Sequence, residues 1–271
     1  MEIAIQKHPY AKTSFSKIVN PLPAEYENKI ICTDALVGLL RLPDNCIDAI
    51  ITSPPYNFGM KYDVYNDGLE WKQYMEKLSP ILLQCIRVLK YSGRLIINIQ
   101  PGSKSYFPTH HAISSFLMDK GMIWKTEIIW NKHSYKKDAT AWGSFASPSS
   151  PYFCVFCEFI EVFCKGDIVK KGKREDIDIT KEEFMEWIVP YWAIGTEGKM
   201  ETYNHPAMFP ERLVGRCLKL FTYKNDIILD PFNGAGTTTA VSFKMNRRYL
   251  GIDISQDYCN TARRRIESLL F

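Results

Sequence analysis

Residues 226–255 read DIILDPFNGAGTTTAVSFKMNRRYLGIDIS, and this stretch decides the architecture. The apolar run Asp226–Leu229 predicts a buried strand that ends at Asp230. A turn carrying Gly234 and Gly236 follows, and a helix opens at Thr237 and runs to Met245. A second strand, Tyr249–Ile252, closes on Asp253, seventeen residues beyond Gly236. Strand, glycine turn, helix and acid-ended strand form one βαβ unit of a parallel sheet. Such a turn lets a ligand approach the backbone, and a carboxylate at the second strand's end suits ribose hydroxyls. The third glycine of a dinucleotide fingerprint would fall on Thr239, so the turn suits a nucleoside ligand without a diphosphate better than NAD.

Outward from this unit, apolar runs alternate with helical patterns. Strands are expected at Lys29–Thr33, Ile47–Thr52, Arg94–Ile99, Ile123–Trp130 and Val155–Cys164. Helices are expected at Ala35–Arg41, Glu70–Leu89, Thr109–Lys120, Pro210–Phe221 and Ser255–Leu269. The total is seven strands. No helical pattern separates Trp130 from Val155, so those two strands should pair antiparallel, leaving six nearly parallel strands and one reversed. The class is α/β, a mostly parallel sheet with helices on both faces. Between Lys165 and His205 the alternation breaks. Thr180 and Glu183 form a capping box there for a short helix, and the segment reads as an inserted subdomain rather than a further sheet unit.

The second informative string is IITSPPYNFG, Ile50–Gly59. A buried strand ends at Thr52, and Ser53, Pro54, Pro55 and Tyr56 follow at its carboxyl end, where active residues of open parallel sheets collect. Two prolines fix the backbone and offer no amide hydrogens. The loop therefore presents a hydroxyl, a carbonyl and an aromatic face. Ser53 Oγ and the Pro54 carbonyl can accept the two hydrogens of an amino group on a flat ring, with Tyr56 stacked on that ring.

Composition sets the class. The chain has 271 residues, 46% hydrophobic and 24% charged, as in ordinary globular proteins. The longest uncharged run, Ala139–Cys157, contains two prolines and four serines, unlike a membrane span. No secretory signal is visible at the N-terminus, and a cytoplasmic protein is expected. Eight cysteines are then expected as thiols. Cys154 and Cys157, with Cys164 near, lack a second ligand pair at zinc spacing, so no metal is expected. Net charge is +4. Lys132, Lys136 and Lys137 form one basic cluster, and Lys165, Lys170, Lys171, Lys173 and Arg174 another. The two flank an aromatic, Ser-rich stretch and fit a phosphate-binding surface.

TSPPY together with DPFNGAGTT resembles the amino-methylating DNA methyltransferases that use S-adenosylmethionine, in the permuted beta-group order with the catalytic motif first. The likeness covers about Lys29 to Ile266. It implies a seven-stranded Rossmann-like sheet, a catalytic half over 1–164, a target-recognition insertion over 165–205 and a cofactor half over 206–271. The resemblance assigns catalysis to Ser53, Pro54, Pro55 and Tyr56. It assigns cofactor binding to Asp34, Asp230, Phe232, Gly234, Gly236, Thr237, Thr238 and Asp253, although Asp34 could equally cap the helix beginning at Ala35. HPAMFPERL, His205–Leu213, resembles the segment leading into the cofactor half. The partner is double-stranded DNA, with a homodimer and a cognate restriction endonuclease as possible further partners in a bacterial or archaeal cell.

The target base must leave the duplex, because pairing otherwise engages its amino group. Acceptors at Ser53 and Pro54 would localise the nitrogen lone pair for direct methyl transfer. None of the eight cysteines follows a proline, as ring-carbon cytosine methylation would require. In the family, Ser as the first loop residue is commoner in enzymes making N4-methylcytosine and Asp in those making N6-methyladenine. Ser53 therefore favours cytosine N4, with adenine N6 as the alternative. Asp63 or Asp67 could supply negative charge near Ser53. Glutamine or RNA methylation, a nucleotide-binding oxidoreductase and a silent DNA-binding module are the rival readings.

Overall fold

The computed structural model describes residues 14–59, 63–64, 67–102, 107–132, 143–144, 146–151, 153, 156–198, 203 and 208–270. In chain order the elements are β1 (Lys29–Cys32), α1 (Ala35–Leu40), β2 (Ile47–Thr52), α2 (Trp71–Val88) and β3 (Leu89–Ile99). Then come α3 (Thr109–Asp119), β4 (Ile123–Asn131), β5 (Cys157–Cys164), α4 (Lys181–Trp187) and β6 (Tyr191–Ala193). The chain finishes with α5 (Glu211–Phe221), β7 (Ile227–Asp230), α6 (Thr237–Lys244), β8 (Arg248–Asp253) and α7 (Gln256–Glu267).

The strands form one sheet in the order β1-β8-β7-β2-β3-β5-β4-β6. Only β5 runs against the rest, antiparallel to both β3 and β4, as the missing helix between Trp130 and Val155 predicts. The count of seven is corrected to eight. Tyr191–Ala193 pairs parallel with β4, so the 165–205 segment does contribute a sheet unit, and its Trp192 is fully buried.

Every residue of β2 is buried, which fits a strand paired on both sides and covered on both faces. Its side chains divide between two cores, with a register shift between Ile47 and Ala49. Ile47 and Ile50 join Leu39, Leu78, Leu82, Ile113 and Leu117 beneath α1, α2 and α3, whereas Ala49 and Ile51 join Leu213, Val214, Cys217 and Val241 beneath α5 and α6. A third cluster, with Ala240, Cys259 and Ala262, seats α7 on α6. The β7-to-β8 crossover moves one way along the sheet and the β2-to-β3 crossover the other. The neighbours β7 and β2 therefore flank the point where strand order reverses, the place where open α/β sheets bind ligands.

The expected capping box forms, with Thr180 Oγ1 accepting from the Glu183 amide and the Glu183 carboxylate accepting from the Thr180 amide. Much of the basic character is spent internally. Lys165 Nζ donates to Asn45 Oδ1 and to the carbonyls of Arg87 and Leu89. The Arg247 guanidinium is fully buried on the Asp178 carboxylate and the Thr222 carbonyl, which fastens the middle segment to the C-terminal half. No helix among the described residues is long and apolar enough to cross a membrane.

Candidate active site

A cavity of about 760 Å³ opens at the carboxyl edge of the sheet over β7 and β2. That volume suits a drug-sized or nucleoside-sized ligand. Ser53, Pro54, Pro55 and Tyr56 line one end; Pro231, Phe232, Asn233, Gly234, Thr237 and Asp253 line the other. The two motifs, nearly 180 residues apart in the chain, are tied where their strands end. Thr52 Oγ1 donates to Asp230 Oδ1 at 2.6 Å.

The Pro-Pro loop is braced from behind. Asn57 takes a left-handed conformation (φ 61°), and the amides of Asn57 and Phe58 donate to the Asp67 carboxylate at 2.8 and 3.0 Å. Tyr74 Oη donates to the Pro55 carbonyl at 2.8 Å, and no donor among the described residues takes that of Pro54. Ser53 Oγ donates to Tyr56 Oη at 2.9 Å, and Tyr56 Oη donates to Glu158 Oε2 at 2.6 Å. Asn98 Nδ2 donates to both Tyr56 Oη and Glu158, and the Lys132 ammonium pairs with the other Glu158 oxygen.

At the opposite end, Gly236 has φ 80°, and a Cβ there would lie 2.6 Å from the Ala262 Cβ. The Asp253 carboxylate receives the Gly234 amide at 2.7 Å and the Ser255 amide at 2.9 Å. Burial pushes the Asp253 carboxyl above its ordinary range, against the pull of those amides. Asp34 lines the cavity and also caps α1, accepting from the Val37 amide at 3.1 Å, so both readings of that residue have a geometric basis.

Two cofactor assignments, Thr238 and Gly236, acquire a supporting position instead, and a third, Asp230, lines the cavity while bracing the strand ends. Asp230 is fully buried, and its Oδ1 is taken by Thr52 and by the Phe232 amide at 3.0 Å. Burial raises its carboxyl to about 6. Thr238 points away from the cavity, donating to the Ile51 carbonyl at 3.2 Å. Gly236 lies behind the lining, against α7.

The basic residues divide similarly. Lys132 faces the cavity on Glu158 rather than solvent, and Lys136 and Lys137 lie outside the described residues. Lys170 is corrected outright. Its ammonium is largely buried between Asp48 at 3.6 Å and Asp226 at 3.3 Å, at the amino ends of β2 and β7. Lys171, Lys173 and Arg174 are exposed along that same edge, on the side of the sheet away from the cavity.

Neither Asp63 nor Asp67 is the acid beside Ser53. Asp63 accepts from Ser255 Oγ at 2.6 Å, and Asp67 holds the loop amides. Glu158 has that place, and sequence reading missed it together with Asn98. The available signal was the first of two glutamates in a mostly apolar strand, VFCEFIEVFC, that runs antiparallel and so begins at the carboxyl edge of its neighbours. Seven described cysteines are unpaired, and burial drives the thiols of Cys85, Cys217 and Cys259 up to about 12, far from thiolate. Among the described residues no group of His, Cys, Asp or Glu could hold a metal ion, and Cys154 lies outside them.

A sheet with a strand-order reversal under one cavity, carrying an amino-group acceptor loop at one end and a nucleoside-type glycine turn at the other, defines a group-transfer enzyme of the methyltransferase type. The model of the DNA methylase family of N6- and N4-methyltransferases matches residues 47–264, and the chain belongs to that family. It is 38% identical over 162 residues to the type II methyltransferase M.MjaVI of Methanocaldococcus jannaschii, a match covering 59% of this chain and 82% of that protein. Over 261 residues it is 30% identical to the type II methyltransferase M.BglII of Bacillus subtilis, covering 90% and 70%. Among solved structures, the DNA modification methylase TTHA0409 from Thermus thermophilus superposes with a TM-score of 0.72 at 23% identity, covering 89% of this chain and 94% of that one. TTHA0409 has also been solved complexed with S-adenosyl-L-methionine. The protein is a DNA amino-methyltransferase.

Proposed function

We propose that the chain methylates the exocyclic N4 of cytosine, in a base turned out of double-stranded DNA, as the modification partner of a restriction system. The observation that carries the reading is the cavity that joins the Ser53–Tyr56 loop to the Gly234–Asp253 turn. S-adenosylmethionine fits that turn: Asp253 is a half-buried acceptor on its rim, the Gly234 backbone is open to the cavity, and the apolar Phe232 offers a face for a ring. When bound, it supplies an electrophilic sulfonium methyl. Asp34 and Asp253 would hold its polar groups, with Thr237 at the helix start.

Ser53 Oγ spends its hydrogen on Tyr56, so its lone pairs face the cavity as acceptors. Together with the Pro54 carbonyl it would draw the two amino hydrogens into place and leave the nitrogen lone pair directed at the methyl. Tyr56 contributes its ring to the base and its hydroxyl to Glu158. Serine rather than aspartate at position 53 supports cytosine. Of the 165–205 insertion, the part following β6 supports a target-reading role, since Thr196 lines the cavity. Digestion of DNA treated with the pure enzyme, followed by mass spectrometry of the nucleosides, tests the assignment. N4-methyldeoxycytidine is expected, and N6-methyldeoxyadenosine as the sole product would replace cytosine with adenine.

A further inference from the structure

We infer that Glu158 is the terminal acceptor of the proton that the methylated amine must lose, reached through Ser53 and Tyr56. The inference rests on the reading that the target amine sits at Ser53. Methyl transfer to a neutral amine leaves the nitrogen cationic, with one hydrogen too many, and a buried site needs somewhere for that proton to go. Three oxygens here form a chain with one polarity. Ser53 donates to Tyr56 at 2.9 Å and Tyr56 donates to Glu158 at 2.6 Å, so each hydroxyl already points its hydrogen away from the cavity and towards the carboxylate.

Glu158 is 5% exposed and, among the described residues, the carboxylate on which that chain ends. Lys132 on one oxygen and Asn98 on the other hold its carboxylate aimed at Tyr56, placed to take a proton without moving. The step balances. The N–C bond forms as the methyl–sulfur bond breaks, and sulfur keeps that electron pair. The amine then gives a proton to Ser53 Oγ, Ser53 passes its own to Tyr56 Oη, and Tyr56 passes its own to Glu158 Oε2. Neutral methylamine and protonated Glu158 result. Neither Asp63 nor Asp67 can substitute, being bonded to Ser255 and to the loop amides.

The test measures single-turnover methyl transfer to duplex DNA by the full-length enzyme, with calorimetry of S-adenosylmethionine binding alongside. Glu158→Gln, which keeps the shape and removes the acceptor, should slow transfer about 100-fold, within the range of general-base effects, at unchanged cofactor affinity. Glu158→Asp should recover part of the loss. Tyr56→Phe cuts the same chain one link earlier, and the double variant should be no slower than the slower single one, because links in series are not additive. Without any turnover, Tyr56→Phe in the cofactor-free protein should shift the carboxyl carbon-13 resonance of Glu158, identified by its loss in E158Q. Wild-type transfer by E158Q, additive losses in the double variant, or an unmoved resonance would each overturn the chain. If E158Q fails to bind cofactor, Tyr56→Phe decides: a loss near 100-fold supports the chain and a wild-type rate ends it. A wild-type enzyme that leaves DNA unmethylated fails the functional reading, whereas an active wild type matched by E158Q fails only this inference.

Discussion

Asp253 serves two parties. Its carboxylate already holds the Gly234 amide that shapes the turn, and it lines the cavity where a ribose would lie. Asp253→Ala should weaken S-adenosylmethionine binding by roughly 1–3 kcal/mol, the cost of removing a charged acceptor, as read by calorimetry. Unchanged affinity would remove the residue from the cofactor site. Gly236 acts by a different route from the one its motif suggests. A side chain there would meet Ala262 of α7 before it met a ligand, and the backbone is left-handed. Gly236→Val should therefore lower the melting temperature, measured by calorimetry without ligand, and weaken cofactor binding as a secondary effect. A variant with native melting but lost binding would restore the direct role.

At the scale of elements, β4 and β5 carry an unusual pair. Glu127 and Glu161 face each other in register, and Glu161 is buried with Trp124 Nε1 donating to it at 3.0 Å. Burial first, and then Glu127 opposite, push the Glu161 carboxyl from its ordinary 4.5 up to about 8. An acid raised in the folded state holds its proton there while the unfolded chain has lost it. The stability it contributes is complete below about pH 4.5 and declines as pH climbs towards 8. Glu161→Gln abolishes that decline, so its melting temperature relative to wild type should rise between pH 5 and pH 8. A difference constant across that range would mean that the folded chain does not raise the Glu161 carboxyl.

These elements also show what was legible beforehand. The antiparallel β4–β5 pair followed from a missing helix, the α4 cap from Thr180 and Glu183, and both ends of the cavity from TSPPY and the glycine turn. The strand β6 was not legible. Three residues after Pro190 are too few to display a period of two, and only the contact of Trp192 with the core reveals them. The start of β3 escaped for a local reason. The strand begins directly after α2 at Leu89, and Ser92 at φ 60° beside Gly93 breaks the alternation, shifting its register against β2. Glu158 escaped because it belongs to the site only through antiparallel pairing, a long-range fact that no local pattern encodes.

For the whole molecule, the count of basic residues misleads about the DNA surface. Lys165, Lys170, Arg247 and Arg265 are all buried or largely so, each on acceptors of its own. Lys171, Lys173 and Arg174 lie along the edge opposite the cavity. Replacing these three by Ala should leave the slope of log affinity for DNA against log salt unchanged, since each phosphate contact contributes about −0.9 to that slope. A slope shallower by two or more would bring the duplex to that edge and require a different path for the target base.

The central strand β2 is buried along its whole length between β7 and β3, and the reactive loop begins one residue past its end. Amides in such a position exchange with solvent only when the whole domain opens. In hydrogen–deuterium exchange, Ile50 and Ile51 should accordingly be among the last amides to label. Ser53 inherits that permanence, being anchored to the part of the molecule that comes apart last. On gradual addition of denaturant, loss of turnover should track global unfolding rather than precede it, a pattern opposite to that of enzymes whose chemistry rides on a fraying loop.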